Sequence, residues 1–189
     1  MRKLPIKYEN PIDNIIYLFV KPHSNLLDCF SPNFITTISF IFALLCLYNY
    51  IEKKYELAAL FYLISYFYDC VDGYHARRKN MITTFGDYYD HLTDIILNVG
   101  IYYLIINNFK NTQYFYPILI TMIILFIGMY YHFGCQEHYY GKKEEVSPIL
   151  NLFGLCKKNP EKQLVFSRYL GSGTFVFITI IIILFTNNL

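Results

Sequence analysis

Long apolar runs alternate with short polar segments along the chain. Three of the runs approach the ~20 residues that a helix needs to cross a bilayer, and two reach that length only if their polar flanks continue the helix. The pattern predicts an all-α, polytopic membrane helical bundle with about five transmembrane helices, six being the alternative. The runs cover residues 34–51, 57–68, 95–106, 114–131 and 169–185.

The first 32 residues differ from the rest because they mix polar and aromatic side chains and contain four prolines. We expect a cytoplasmic or interfacial segment without a signal peptide. Within it, residues 11–20 predict a short amphipathic helix along the membrane interface. No repeat or low-complexity tract divides the chain, so residues 1–189 are predicted to form a single domain.

Composition favours the same class of protein. Hydrophobic residues make up 55% of the chain and charged residues 16%, which is typical of a membrane protein. The net charge of +2 is small and the basic residues are scattered, so we expect no nucleic-acid partner but contact with membrane lipids. The five cysteines form no CxxC pair and are predicted to be reduced, packed thiols.

The distribution of basic residues predicts the orientation. With five spans, thirteen of the sixteen Lys and Arg fall on one side of the membrane and three on the other. Because basic residues favour the cytoplasmic face, we expect three segments there: the N-terminus, the loop at Arg77 and the loop 135–168. The protein is thus predicted to be multi-pass, with its N-terminus in the cytoplasm.

Four aspartates sit beside the second and third apolar runs. An ionised side chain in the hydrocarbon zone costs roughly 2.5 to 3.5 kcal/mol, so four of them call for a cation or a water-filled site. Helical spacing places two on one face before a polar turn at 78–85 and two on one face after it, so the faces can meet. Hard oxygen ligands favour Mg²⁺ or Mn²⁺. The four are Asp69, Asp72, Asp90 and Asp94.

These residues belong to a longer pattern, D-x2-D-G-x2-A-R-x8-G-x3-D-x3-D, which the chain matches at every fixed position from Asp69 to Asp94. The chain resembles the CDP-alcohol phosphotransferase family, well over about residues 31–107 and poorly elsewhere. The resemblance implies Mg²⁺-dependent transfer of a substituted phosphate from a CDP-alcohol donor to a lipid or small-alcohol acceptor, with release of CMP, in phospholipid biosynthesis. The distribution of basic residues predicts that this active site lies at the cytoplasmic face, and a homodimer is a further possibility.

The resemblance assigns roles to individual residues. The first three aspartates would bind metal ions, and Asp94 would deprotonate the acceptor or bind metal as the fourth ligand. A second similar segment, 31–36, would line the nucleotide pocket, although alone it reads as a helix start capped by Ser31 or Asn33. The nucleotide-binding residues implied are Gly73, Ala76, Arg77, Gly86, Asn33 and Thr36.

Local detail resembles the ethanolamine and choline branch of the family. Ala76-Arg77-Arg78-Lys79-Asn80 and Tyr89-Asp90-His91-Leu92-Thr93-Asp94 are similar to that branch, and residues 136–141 match it in part. The similarity implies transfer of an aminoalcohol phosphate to diacylglycerol. Glu137 or His138 would assist removal of the acceptor proton, and His91 would hydrogen-bond an aspartate. All three are by base rate more often solvated or packed than catalytic.

Other functions keep part of the pattern. Phosphatidyl transfer from CDP-diacylglycerol to a small alcohol uses the same aspartates. An inactive relative that only binds its ligand is a second alternative, because the C-terminal half is shorter than in the family. An ion transporter with intramembrane aspartates is a third, but it leaves the glycines, the alanine and the arginine unexplained.

Overall fold

Each apolar run forms a helix, since a segment in hydrocarbon must satisfy its own backbone hydrogen bonds. The computed structural model describes residues 4–140, 156 and 159–188. Short 3₁₀ turns follow the last two helices, at Arg168–Leu170 and Thr186–Asn188. The α-helices are α1 Pro11–Leu26, α2 Pro32–Ile51, α3 Tyr55–Lys79, α4 Thr84–Phe109, α5 Phe115–Tyr140, α6 Pro160–Ser167 and α7 Ser172–Phe185.

Four helical stretches are long and apolar enough to cross a membrane: Pro32–Ile51, Thr84–Phe109, Phe115–Tyr139 and Pro160–Phe185. The predicted all-α, polytopic class is therefore confirmed. Helix α3 has 25 residues but is less apolar than these four, because its last part carries aspartates and basic residues. The number of passes and the cytoplasmic orientation stay predictions.

Helix α1 is longer than the predicted 11–20, and it turns its polar side inward. It continues through Pro22 to Leu26, because a proline removes only one helical hydrogen bond and the end of α1 is held by contacts with α3. Asp13 and Ser24 are buried, whereas Leu18 and Phe19 are more than 60% exposed. An outward apolar face on a helix packed against a membrane bundle supports the predicted interfacial position.

The turn between α3 and α4 is tighter than the predicted 78–85. Arg78 and Lys79 remain helical, and Asn80 ends α3 in the left-handed conformation with φ 53°. The Thr83 hydroxyl accepts a hydrogen bond from the Gly86 backbone N–H at 3.0 Å and caps the start of α4. A turn of four residues, 80–83, therefore separates the two aspartate-bearing helices.

The main apolar core lies among α2, α3, α4, α5 and α7. Tyr62, Ile101, Ile105 and Ile183 are almost fully buried there. Helix α2 packs closely against both α3 and α4. It therefore acts as the common support for the two helices that carry the aspartates.

The predicted loop 135–168 is helical at both ends. Residues 135–140 continue α5, and Pro160–Ser167 forms α6. Residues 141–155, including the predicted interfacial piece 148–155, lie outside the described residues. Cys135 and Cys156 form a disulfide with their Cα atoms 4.9 Å apart, so the prediction of reduced thiols is wrong for this pair. Cys156 thus lies beside the end of α5, a proximity that the sequence spacing of the cysteines did not indicate.

Candidate active site

Three aspartates converge where α3 and α4 face each other. Asp69 and Asp72 lie about one turn apart on α3, and Asp90 comes from α4. Each offers one carboxylate oxygen, and these oxygens all lie within 4.8 Å of one another. The two carboxylate faces therefore meet, as the helical spacing predicts. Three hard oxygen donors at this separation fit a divalent cation such as Mg²⁺ or Mn²⁺.

The environment of Asp72 strengthens that fit. Its side chain is 4% exposed, and its Oδ2 atom has no hydrogen-bond partner among the described residues. A buried carboxylate oxygen without a partner costs free energy unless a cation or a donor compensates it. The Thr36 hydroxyl on α2 donates to the backbone carbonyl of Pro32 at 3.2 Å. The donor set of this site thus suits a metal ion.

Asp94 stands apart from the three-carboxylate group. It lies one helical turn after Asp90, and its side chain lines the same cavity. Among the described residues, the group of carboxylate oxygens within 4.8 Å contains the other three aspartates but not this one. Asp94 is thus a fourth carboxylate near the three-carboxylate group but not part of it.

Arg77 lies over Gly73, one turn earlier on α3. A Cβ atom added to Gly73 would stand 3.3 Å from two nitrogens of the Arg77 guanidinium, so the glycine leaves the space that the arginine fills. Both residues line the cavity next to the aspartates. A guanidinium there can pair with a phosphate group bound at the carboxylates.

The other predicted nucleotide-binding residues lie outside the cavity lining. Gly86 and Asn33 bring the starts of α4 and α2 together, since a Cβ on Gly86 would come within 2.9 Å of the Asn33 Oδ1 atom. Within the described part of the chain, the lining of the cavity does not include Asn33, Thr36, Ala76 or Gly86. Their contact with a nucleotide stays a prediction.

Glu137 and His138 differ in position although they are neighbours in sequence. The Glu137 side chain is 6% exposed and lines the cavity, whereas His138 is not part of the lining within the described chain. His91 also lines the cavity, with Nε2 3.7 Å from Asp87 Oδ1 and Nδ1 4.0 Å from Asp90 Oδ2. Of the two acceptor-side candidates at this helix end, the geometry favours Glu137.

The cavity has a volume of about 820 Å³ and two chemically different parts. Its polar end holds the aspartates and Arg77. Its apolar limb runs between α4, α5 and α7 and is lined by Ile95, Val99, Ile106, Phe126, Phe133 and Phe175. A cavity of this size and shape suits a ligand with one charged end and one apolar end.

The N-terminal segment supplies a part of the site that the sequence patterns did not predict. Glu9, Asp13 and Tyr17 line the cavity, and the two acids are almost fully buried. Asp13 accepts hydrogen bonds from the Tyr66 hydroxyl and the Gly173 backbone N–H, at 2.5 Å and 3.4 Å. The signal available was a carboxylate, Asp13, near the start of this interfacial segment and just before its apolar run.

The pKa of Asp13 is raised to about 6. Burial is the main cause, and the negative charge of Asp69 adds to it, while the hydrogen bonds from Tyr66 and Gly173 favour the ionised form and act in the opposite direction. The carboxyl group therefore titrates within the range in which many enzymes are assayed.

A protein-family model matches residues 29–187, and its description is CDP-alcohol phosphatidyltransferase. The chain belongs to this family. The match extends well beyond residues 31–107, so the C-terminal helices are part of the family domain. Searches of curated proteins and of solved structures found no significant match. Members of a CDP-alcohol phosphatidyltransferase family transfer phosphate-linked groups from CDP-alcohols in phospholipid synthesis, and this transferase class applies to the present member.

Proposed function

We propose that this protein transfers an aminoalcohol phosphate from a CDP-aminoalcohol to diacylglycerol, with Mg²⁺ as cofactor and release of CMP. The observation that carries the proposal is a single cavity in which three convergent carboxylates adjoin an apolar limb. One part suits a metal-bound pyrophosphate, and the other suits a lipid. The site would open to the cytoplasm, where CDP-alcohols dissolve.

Asp69, Asp72 and Asp90 would hold the metal, with Asp94 as a further ligand or as the base. A divalent cation held by these residues would supply positive charge to the phosphate oxygens and to CMP as the leaving group. The protein's own task is to keep three carboxylates together on two helices that α2 supports. Mn²⁺ would satisfy the same oxygen donors.

As the base, Asp94 would accept the proton of the acceptor hydroxyl. It lies one turn from Asp90 and faces the cavity without belonging to the three-carboxylate group. In the reaction, the acceptor oxygen loses its proton to Asp94 and attacks the phosphorus that carries the alcohol. The bond from this phosphorus to the bridging oxygen breaks, and CMP leaves with that oxygen. Glu137 would assist at the same side, with His91 as a neighbour of Asp90.

The nucleotide end would be built around Arg77. Its guanidinium, held over Gly73, would pair with the donor phosphates. The cytidine pocket would be shaped by four residues next to those that line the cavity: Asn33, Thr36, Ala76 and Gly86. The close approach of Gly86 to Asn33 supports this role, because a larger residue at 86 would displace the Asn33 and Thr83 side chains.

Charge favours an aminoalcohol over a neutral alcohol on the donor. Glu9, Asp13 and Glu137 line the cavity in addition to the four aspartates, whereas Arg77 is the one Lys or Arg in the lining among the described residues. The divalent metal would lie at the three-carboxylate group, and Glu9, Asp13 and Glu137 add acidic side chains to the rest of the lining. A cationic ammonium head would complement these acids and the nearby Tyr17 ring.

A second candidate is phosphatidyl transfer from CDP-diacylglycerol to a small alcohol. The phosphatidyl group named in the family description and the apolar limb of the cavity both favour it. In that reaction the same limb would hold the acyl chains of the donor rather than those of the acceptor.

The deciding experiment is a CMP-release assay on the purified protein in lipid nanodiscs. CDP-ethanolamine and CDP-choline are each offered with diacylglycerol, and CDP-diacylglycerol is offered with ethanolamine, serine, inositol and glycerol phosphate. We expect Mg²⁺-dependent CMP release with a CDP-aminoalcohol, abolished by a chelator. CMP release only with CDP-diacylglycerol and a small alcohol, and not with a CDP-aminoalcohol, would select the second candidate. Donor binding without any release would identify an inactive relative.

A matched pair of variants makes the assay specific for the carboxylate group. Asp90→Asn should abolish CMP release, because it removes a proposed metal ligand. Asp87 lies one turn earlier on the same helix and is not part of the three-carboxylate group. The Asp87→Asn variant should therefore retain most of the activity. Equal loss in both variants would count against the proposed metal site.

A further inference from the structure

An asparagine side chain lies among the apolar residues that line the cavity next to the carboxylates. Asn98 lies on α4 one turn after Asp94 and lines the cavity together with Tyr62. Its neighbours in the limb are apolar, including Ile95 and Val99 on the same helix. An amide in a membrane-spanning helix is costly unless it is hydrogen-bonded, and such residues mark functional sites.

Two hydrogen bonds hold the Asn98 amide in one orientation. Its Nδ2 atom donates to the backbone carbonyl of Asp94 at 2.9 Å, and its Oδ1 atom accepts from the Tyr62 hydroxyl at 2.7 Å. Tyr62 is itself 1% exposed and cannot turn away. The amide has two N–H groups, and within the described part of the chain only one has an acceptor. The second N–H group is therefore an available donor at the cavity.

The limb is open toward the apolar surface of the bundle. Ile95, Val99 and Tyr103 line the cavity, yet each is more than 50% exposed. They lie at successive turns of α4, a helix long and apolar enough to span a bilayer. Because these residues both line the cavity and reach the surface of the bundle, a lipid can approach the cavity along this face of α4.

We propose that Asn98, oriented by Tyr62, binds the ester carbonyl of a diglyceride and thereby places the glycerol end of the lipid next to Asp94. The inference rests on the proposed function and adds the subsite that recognises the lipid. One turn of helix, roughly 5.4 Å, separates the two residues, which is comparable to the span of a glycerol unit. The diglyceride is either the acceptor diacylglycerol or the diacylglycerol part of a CDP-linked donor.

The test compares an ester-linked diglyceride with its ether-linked analogue, which lacks the carbonyl oxygens. Binding is measured as the rise in unfolding temperature of the detergent-solubilised protein, a readout that needs no turnover. The wild type should bind dioleoylglycerol about threefold to tenfold more tightly than the dialkyl analogue, the range of one neutral hydrogen bond. Asn98→Leu should bind both equally.

Asn49→Leu is the matched control. Asn49 is also an asparagine inside a span, and its Nδ2 donates in the same way to the Leu45 carbonyl four residues earlier, at 2.8 Å, but it does not line the cavity in the described chain. It should keep the ester preference. A loss of the preference in this control, or its persistence in Asn98→Leu, would overturn the proposal.

Two further arms separate the possible failures. If Asn98→Leu does not fold, Tyr62→Phe replaces it, because this variant removes the hydrogen bond that orients the Asn98 amide and should weaken the ester preference. A wild-type protein without any ester preference refutes the subsite. The same comparison with diester and diether CDP-diacylglycerol identifies which lipid carries the carbonyl. A protein that shows the ester preference but releases no CMP with any donor retains the subsite and loses the proposed function.

Discussion

The Tyr66 hydroxyl donates a 2.5 Å hydrogen bond to the Asp13 carboxylate. This bond joins the interfacial helix α1 to α3 at a point three residues before Asp69. Asp13 also accepts from the Gly173 backbone N–H at the start of α7. The buried Asp13 carboxylate thus links α1 to both α3 and α7. The position of α1 at the cavity depends on these hydrogen bonds.

Stability should depend on the ionisation of Asp13. Its pKa is about 6 in the folded protein against an ordinary 3.8, so folding favours the protonated form. The stabilising contribution is therefore complete below pH 3.8 and is lost as the pH rises to about 6. Thermal unfolding in detergent should show that the free energy of unfolding decreases from pH 4 to 7. Asp13→Asn should reduce this decrease by at most about 3 kcal/mol.

The partner variant Tyr66→Phe tests the cause. The hydrogen bond from Tyr66 favours the ionised form of Asp13, so its removal should raise the pKa of Asp13 further and extend the loss of stability to higher pH. An unchanged pH profile in both variants would show that Asp13 is not the group responsible.

Gly173→Ala should weaken the docking of α1. A Cβ at this position would overlap Asp13 Oδ1 and stand 2.8 Å from Asn10 Oδ1, and both side chains are held by hydrogen bonds. We expect destabilisation of about 1 to 3 kcal/mol in denaturant unfolding. Gly100→Ala is the control, because its Cβ would meet the flexible end of Leu47 and should cost less.

Asp94 and Asp90 should differ in how their loss affects the reaction. Asp90→Asn should raise the Mg²⁺ concentration required for activity or abolish activity, since this residue belongs to the three-carboxylate group. Asp94→Asn should lower kcat by about 10²-fold or more while the Mg²⁺ requirement stays similar, because a general base contributes about that factor. Mg²⁺ titrations of CMP release distinguish the two, and an identical metal dependence in both variants contradicts the division of roles.

Glu137 and His138 provide a test of position within one short segment. Glu137→Gln should lower kcat or kcat/KM for the proposed transfer about tenfold or more, because Glu137 is buried and lines the cavity. His138→Gln should change either parameter less than threefold, as it lies outside the cavity lining in the described chain. Steady-state CMP release measures both. A larger effect at His138 would reverse this assignment.

Local spacing was sufficient for much of the site. The apolar runs predicted membrane helices, and the separation of Asp69 from Asp72 and of Asp90 from Asp94 placed each pair on one helical face. These features depend on contacts within one or two helical turns, where the geometry of an α-helix is known in advance. The longer α1 and the four-residue turn 80–83 lay beyond such rules, because packing against α3 decides where those helices end.

The sequence by itself determined the class of protein, the pairing of the aspartate faces and the family resemblance, since each follows from periodicity or from residues close along the chain. Only the tertiary structure decided that Asp13 joins the cavity, that Glu137 faces it while His138 does not, and that Cys135 meets Cys156. It also decided that Asn98 is held by Tyr62. These relationships connect residues on different helices, and the physical reason is that packing angles and helix rotation arise from the whole bundle.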